Sequence, residues 1–247
     1  NPSHTALGMA EGKSSKIIPL IALPKLGVSR IQPRNREQRF ALNLLLQDSI
    51  KLVTLVGKAG TGKTLLAIAA GLQKVADEKL YNRLLISRPV VPMGKDIGYL
   101  PGDINDKLTP WMQPLYDNFD LIFRTQEISE KPGHWRRGHE ELIEMGILQI
   151  EPLTYIRGRT IPQQFLIIDE AQNLTPHEVK TIITRAGEGT KIVLTGDPDQ
   201  IDHPYIDAAS NGLTYVVERF KHEPLAGHIT LFKGERSGLA ERAAVLL

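Results

Sequence analysis

The chain has 247 residues, with 30 Lys and Arg against 28 Asp and Glu for a formal net charge of +2, 41% hydrophobic residues and no cysteine. This profile suits a globular chain with room for one large α/β domain and an accessory segment, and it excludes disulfides and thiolate metal sites. No apolar stretch is long enough to cross a bilayer and no signal-peptide pattern opens the chain, which points to a cytoplasmic protein, while so small a net charge argues nothing about nucleic acid by itself.

Residues 1–15, including His4, Gly8, Gly12, Lys13, Ser14 and Ser15, read as a flexible lead-in. An opening at Asn1 without methionine is what a piece of a longer protein would show. In 16–32, Ile17-Ile18 and Leu20-Ile21-Ala22-Leu23 are cut by Pro19 and Pro24, which suits an edge hairpin or a linker. Residues 1–32 are therefore set apart from a main domain over 33–247. A helix is expected from Arg36 to Gln47, with Phe40, Leu44 and Leu45 on one face. Its first turn holds Gln38, whose amide suits the N6 and N7 edge of adenine and would favour ATP over GTP. An exposed glutamine on an amphipathic helix would look the same.

The next segment carries the strongest signal. Gly57-Lys58-Ala59-Gly60-Thr61-Gly62-Lys63-Thr64 matches G-x-x-x-x-G-K-[ST]. It follows a β-branched apolar run, Leu52-Val53-Thr54-Leu55-Val56, and precedes Leu65, Leu66, Ile68, Ala69, Leu72 and Val75 at helical spacing. Glycines let the backbone curl so that successive N–H groups, through Leu65, face phosphate oxygens at a helix N-terminus. Lys63 is placed for the β- and γ-phosphates, and the Thr64 hydroxyl for Mg²⁺.

Leu84-Leu85-Ile86-Ser87 reads as a second buried strand, closed by Arg88-Pro89. Residues 90–164 then form a long insertion with Pro92, Gly94, Gly98, Pro101, Gly102 and Pro110, a helix from Trp111 to Phe123, a further helix near His139–Met145, and Ile147-Leu148-Gln149-Ile150. It interleaves Lys95, Lys107, Lys131, Arg136, Arg137, Arg157 and Arg159 with Trp111, Tyr116, Trp135 and Tyr155, a mixture suited to single-stranded nucleic acid. Trp111 and Tyr116 on one helix equally suit a core. His134-Trp135-Arg136-Arg137-Gly138-His139 lacks a third ligand for a metal and suits a solvated basic turn.

Phe165-Leu166-Ile167-Ile168 is a strong buried strand that runs into Asp169-Glu170-Ala171-Gln172. Carboxylates at the carboxyl end of such a strand face the ligand crevice of an open α/β sheet. Asp169 is placed to hold Mg²⁺, and Glu170 to orient or deprotonate an attacking water. A helix from Pro176 to Arg185 and the strand Lys191-Ile192-Val193-Leu194-Thr195 follow, ending in Gly196-Asp197-Pro198-Asp199-Gln200. Gln200 at that tip suits a γ-phosphate or the lytic water. Alternation of strands and helices implies a mostly parallel sheet with helices on both faces.

Together these residues resemble the PhoH-like ATPases, relatives of the first helicase superfamily. The resemblance rests on Asn35/Gln38, the loop 57–64, Asp169-Glu170-Ala171-Gln172 and Gly196–Gln200. It also rests on Ser87-Arg88-Pro89, Gly98-Tyr99-Leu100-Pro101-Gly102-Asp103, Ile156-Arg157-Gly158-Arg159-Thr160, Thr184-Arg185-Ala186-Gly187 and Gln200-Ile201-Asp202. These span residues 33 to about 242 and imply a P-loop NTPase with one RecA-like, helicase-type lobe. They also imply ATP hydrolysis with Mg²⁺, coupled to binding or unwinding of single-stranded RNA, and a hexameric ring. The ending, Lys233-Gly234-Glu235-Arg236-Ser237-Gly238-Leu239-Ala240, resembles the branch that carries an N-terminal PIN ribonuclease domain, so the chain resembles the ATPase half of a toxin-like PIN-PhoH protein.

The chain continues for 47 residues past Gln200, too few for a second helicase lobe, so a charge-stabilising arginine is expected from the same lobe or a neighbouring subunit. Arg157, Arg159, Arg185 and Arg236 are the candidates. Arg236 follows an expected strand, Ile229-Thr230-Leu231-Phe232, and suits a contact in cis; Arg185 suits one in trans. Three functional classes fit: an RNA-stimulated ATPase motor, a small-molecule kinase, and a non-motor ATP-gated assembly factor that positions a partner domain. The kinase class gives no reason for Asp-Glu-Ala-Gln.

Overall fold

The computed structural model describes residues 7–10, 16–90, 104–127, 138–156 and 158–234. Near the start, β1 (Gly8–Ala10) pairs antiparallel with β2 (Ile17–Pro19). Part of the stretch expected as lead-in is therefore a strand, and Leu20–Leu23 is not one. Val28 and Ile31 then exchange backbone hydrogen bonds of 3.0 and 2.8 Å across Ser29 and Arg30, both with positive φ. This tight turn drives Val28 and Ile31 into the main core, where Val28 is fully buried.

α1 (Arg36–Leu46) begins at Asn35, whose side chain accepts from the Gln38 N–H. β3 (Leu52–Gly57) leads to α2 (Lys63–Leu72), and β4 (Arg83–Arg88) follows. α3 (Ile104–Glu127) is longer than the helix expected over 111–123 and runs through Pro110 and Pro114. It is held because Met112, Leu115, Phe119, Ile122 and Phe123 are buried against the sheet. α4 (His139–Glu144) and β5 (Leu148–Pro152) complete the 90–164 stretch, whose last part thus belongs to the sheet edge. Then come β6 (Gln164–Ile168), α5 (Pro176–Ile183), β7 (Lys191–Gly196), α6 (Gly212–Phe220) and β8 (Ala226–Leu231).

Six strands lie in the order β5-β4-β6-β7-β3-β8, every neighbouring pair parallel. Both faces are covered, so the inner strands carry near-continuous apolar runs such as Leu84–Ile86, Phe165–Ile168 and Ile192–Leu194. On β6, Phe165 and Ile167 face the core built with α1, α2, α3 and α4, while Leu166 and Ile168 face the one built with α5 and α6. This period-2 division is what fixes the register. Leu52–Val56 pairs with Ile192–Gly196, and Phe165–Ile168 with Lys191–Leu194, which brings the carboxyl ends of β3, β6 and β7 to one edge.

Lys191 opens β7 fully buried and donates to the Leu44 and Gln47 carbonyls at 3.1 and 2.8 Å, capping the C-terminal end of α1. Burial pushes its ammonium from 10.5 down to about 7. Between those values the folded protein binds fewer protons than the unfolded chain. This contribution to stability is therefore complete above pH 10.5 and lost as pH falls to 7. Lys191→Met removes that dependence. In urea unfolding the wild type should gain about 1–2 kcal/mol on the variant between roughly pH 7 and 9, whereas a constant gap would contradict the account.

Candidate active site

The loop between β3 and α2 is a cradle with no room for a side chain at Gly57. A Cβ on Gly57 would lie 2.3 Å from the Leu231 carbonyl oxygen, because β8 runs directly beside the loop. Gly62, at φ +88°, caps α2 in the left-handed region, and a Cβ there would press on the Gln38 amide at 3.2 Å. Thr61 is fully buried and its hydroxyl donates to the Lys58 carbonyl at 2.8 Å, which tightens the turn. The Lys63 ammonium donates to the Gly57 and Lys58 carbonyls and so lies folded over the loop.

Asp169 stands at the end of β6 and is 4% exposed. Its Oδ1 accepts from the Thr64 hydroxyl at 2.7 Å and from the Thr195 hydroxyl at 2.6 Å. One carboxylate oxygen therefore joins the start of α2, the end of β6 and the end of β7. Each hydroxyl gives its hydrogen to Asp169 and keeps lone pairs for a cation. This hard-oxygen donor set fits Mg²⁺, which takes few protein ligands and completes its shell with water and phosphate oxygens. Among the described residues no cluster of three or more His, Cys, Asp or Glu side chains forms a closed metal site. The glycine cradle and Lys63 fit a nucleoside triphosphate beside that cation.

Glu170 has φ +53°, a left-handed backbone that costs a non-glycine residue about 1–2 kcal/mol. Its carbonyl is secured by the Asn173 N–H at 3.0 Å. Its carboxylate is held on both oxygens: Gln172 Nε2 donates to Oε2 at 2.6 Å, and Arg88 Nη2 lies 3.5 Å from Oε1. Gln172, 1% exposed, also donates to the Gln200 carbonyl at 2.8 Å and accepts from the Asp197 N–H at 3.1 Å. Asn173 Oδ1 accepts from the N–H groups of Asp202 and His203 at 2.8 and 3.3 Å. The two amides thus fasten the loop after β7 to the acidic turn after β6. The Gln200 side chain donates to Asp197 at 2.6 Å, within its own turn.

Gln38 is buried, and its amide works within the protein: Oε1 accepts from the Arg34 N–H at 2.8 Å and Nε2 donates to the Thr61 carbonyl at 3.0 Å. It braces the phosphate loop with one N–H and one lone pair of its amide. Its neighbour Glu37 accepts from the N–H of Phe232 at 2.8 Å and of Lys233 at 3.3 Å, pinning the chain after β8 beside the same loop. Ala59, Gly60 and Leu65 complete the loop and the first helical turn, with Leu65 packed on the core.

The arginines divide. Arg159 pairs with Glu151 at 3.2 Å, and Arg185 lines a small hollow with Leu153, Ile156, Glu178, Thr181 and Ile182. Arg157 and Arg236 lie outside the described residues, as do Lys95, Gly98–Asp103, Lys131, Trp135, Arg136 and Arg137. Tyr116 packs against His139 with ring centroids 5.0 Å apart and planes tilted by 36°, so this aromatic serves packing. Sequence reasoning gave no individual role to Thr195, Asn173, Glu37 or Arg88. Thr195 carried a faint signal, as a polar residue ending an otherwise apolar strand.

The family model described as PhoH-like protein matches residues 30–244. The protein PhoH2 of Bacillus subtilis is 56% identical over 245 residues, covering 99% of this chain and 54% of that protein. The PhoH2 of Mycolicibacterium smegmatis is 35% identical, over 100% of this chain and 55% of its own length. The chain thus spans about half the length of these relatives. Among solved structures, the Pif1 helicase from Candida albicans aligns over 87% of this chain and 43% of that one at 16% identity, with a TM-score of 0.43. On the match across residues 30–244 and the identity to these relatives, the chain belongs to the PhoH-like protein family.

Proposed function

We propose that this chain is a Mg²⁺-dependent ATPase whose turnover is coupled to single-stranded RNA. The observation that carries the reading is the Asp169 carboxylate, bonded to the phosphate-loop Thr64 at 2.7 Å, with Glu170 as the next residue. Lys63 exchanges its loop carbonyls for the β- and γ-phosphate oxygens, since an ammonium has three donors to redistribute. The loop N–H groups from Gly57 to Leu65 hold the remaining phosphate oxygens. Thr64 and Asp169 would hold Mg²⁺, which would supply neutralisation of phosphate charge. Glu170 orients the attacking water and takes its proton. Gln38 reads adenine with its spare amide valences, and Gln200 lies one loop away to sense the terminal phosphate.

Coupling to RNA is supported by the family resemblance and by the fastening of the 197–203 loop to the acidic turn through Gln172 and Asn173. Any change in that loop reaches the Glu170 carboxylate through a single side chain. The basic and aromatic residues of the 90–164 stretch supply the chemistry for a strand contact. We further propose that the protein works as a hexameric ring, in which a neighbour's Arg185 or the chain's own Arg236 stabilises the transferred phosphoryl group. In the full-length protein it would act beside a PIN ribonuclease domain.

Lys63→Ala should abolish binding of a fluorescent ATP analogue. Glu170→Gln should bind the analogue as the wild type does and lose roughly 10²–10⁴-fold in single-turnover hydrolysis, the usual worth of a general base. Normal turnover by Glu170→Gln would remove the base assignment. Labelled single-stranded RNA should bind with an affinity that falls steeply as salt rises. Absence of binding at about 50 mM salt would sink the RNA half of the reading.

A further inference from the structure

Arg88 ends β4 at the same sheet edge as Asp169 and Glu170. Ser87 pairs with Ile168 across the strands, and its carbonyl accepts the Asp169 N–H at 2.9 Å. From there the guanidinium spans two groups far apart in the chain. Nη2 lies 3.5 Å from Glu170 Oε1, and Nη1 donates to the Trp111 carbonyl of α3 at 3.4 Å. The Arg88 side chain is 20% exposed, so the pair is partly withdrawn from water. We propose that Arg88 is a positioning residue for hydrolysis: anchored on α3, it sets the direction in which Glu170 presents its carboxylate to water. The inference rests on the reading of Glu170 as the general base.

Three features make this more than a surface ion pair. The Glu170 carboxylate has a second holder: Gln172 hydrogen-bonds Oε2 while the Arg88 charge attracts Oε1, and contacts on both oxygens restrict the carboxylate where one would leave a pivot. Only arginine fits the span, because its planar fork addresses two acceptors at once, whereas a lysine ammonium is a point donor. The α3 anchor can take an outside donor, because a carbonyl oxygen has two lone pairs and the Trp111 helical bond to the Leu115 N–H uses one of them. Arg88 thereby ties the base to the helix that heads the basic and aromatic stretch, while Gln172 ties it to the loop after β7.

The test is a double-mutant cycle read in single-turnover hydrolysis, with nucleotide affinity measured alongside. Arg88→Gln should bind the ATP analogue within about twofold of wild type and hydrolyse it at least about tenfold more slowly, because orientation rather than binding is lost. Arg88→Lys, which retains the charge but cannot hold both acceptors, should fall between them. In a Glu170→Gln background Arg88→Gln should cost nothing further, since it acts through a group already removed. Loss of nucleotide binding in both Arg88 variants would make Arg88 a phosphate ligand and overturn the proposal. So would unchanged hydrolysis in Arg88→Gln, or losses that simply multiply in the double variant. Normal turnover by Glu170→Gln alone would instead defeat the base assignment on which the cycle stands.

Discussion

A carboxylate that is 4% exposed is tolerated at the end of β6 because hydroxyls from two other elements donate to it. Each bond has a structural precondition. Thr64 meets Asp169 only if the loop after β3 curls through Gly57 and Gly62 and starts α2 on time. Thr195 meets it only if β6 and β7 pair in the register that sets Ile168 beside Leu194. A slip of one residue would turn Thr195 to the opposite face. The two apolar cores, divided between alternate residues of the same strands, are what forbid that slip. Phosphate cradle, cation site and sheet register therefore form one constraint, with Asp169 Oδ1 at its centre.

Around that centre the side-chain amides do the wiring. Gln38 links the first turn of α1 to the phosphate loop, Gln172 links the acidic turn to the loop after β7, and Asn173 extends the link to Asp202 and His203. An amide suits such junctions, since it donates and accepts without a charge to be neutralised. Glu170 sits where the wiring converges, in a backbone conformation that its neighbours must hold for it. Strain at this residue, with a hydrogen bond on one carboxylate oxygen and an ion pair on the other, is the arrangement a site needs when the direction of one base decides the rate.

Contiguous chemistry was legible and assembled chemistry was not. The run 57–64 could be read because its glycines, lysine and threonine act together within eight residues, between a strand and a helix that each show their own period. Asp169 and Glu170 were legible because an apolar strand points at them. Thr195, Arg88 and Glu37 were silent because their partners are set by strand order, and the order β5-β4-β6-β7-β3-β8 leaves no mark on local sequence. Element errors have similarly local causes. Pro110 concealed the first turns of α3, a helix held by burial from Met112 to Phe123. α6 buries Leu213 and Val216 and packs Phe220 on the same core, a helical spacing that is present in the sequence but short and set among Thr214, Tyr215 and Val217, residues that also suit a strand. β8 begins at Ala226 rather than Ile229 because Gly227 and His228 disguise its first half.

The most direct test of the account is steady-state ATP hydrolysis by the purified chain with Mg²⁺, with and without single-stranded RNA, using Glu170→Gln as the blank. The account predicts turnover that rises with RNA and vanishes in the blank. Turnover indifferent to RNA would contradict the coupling and favour a nucleotide-gated assembly. No turnover above the blank under either condition would contradict the central claim that the carboxylates at the end of β6 and the phosphate loop form a working hydrolase site.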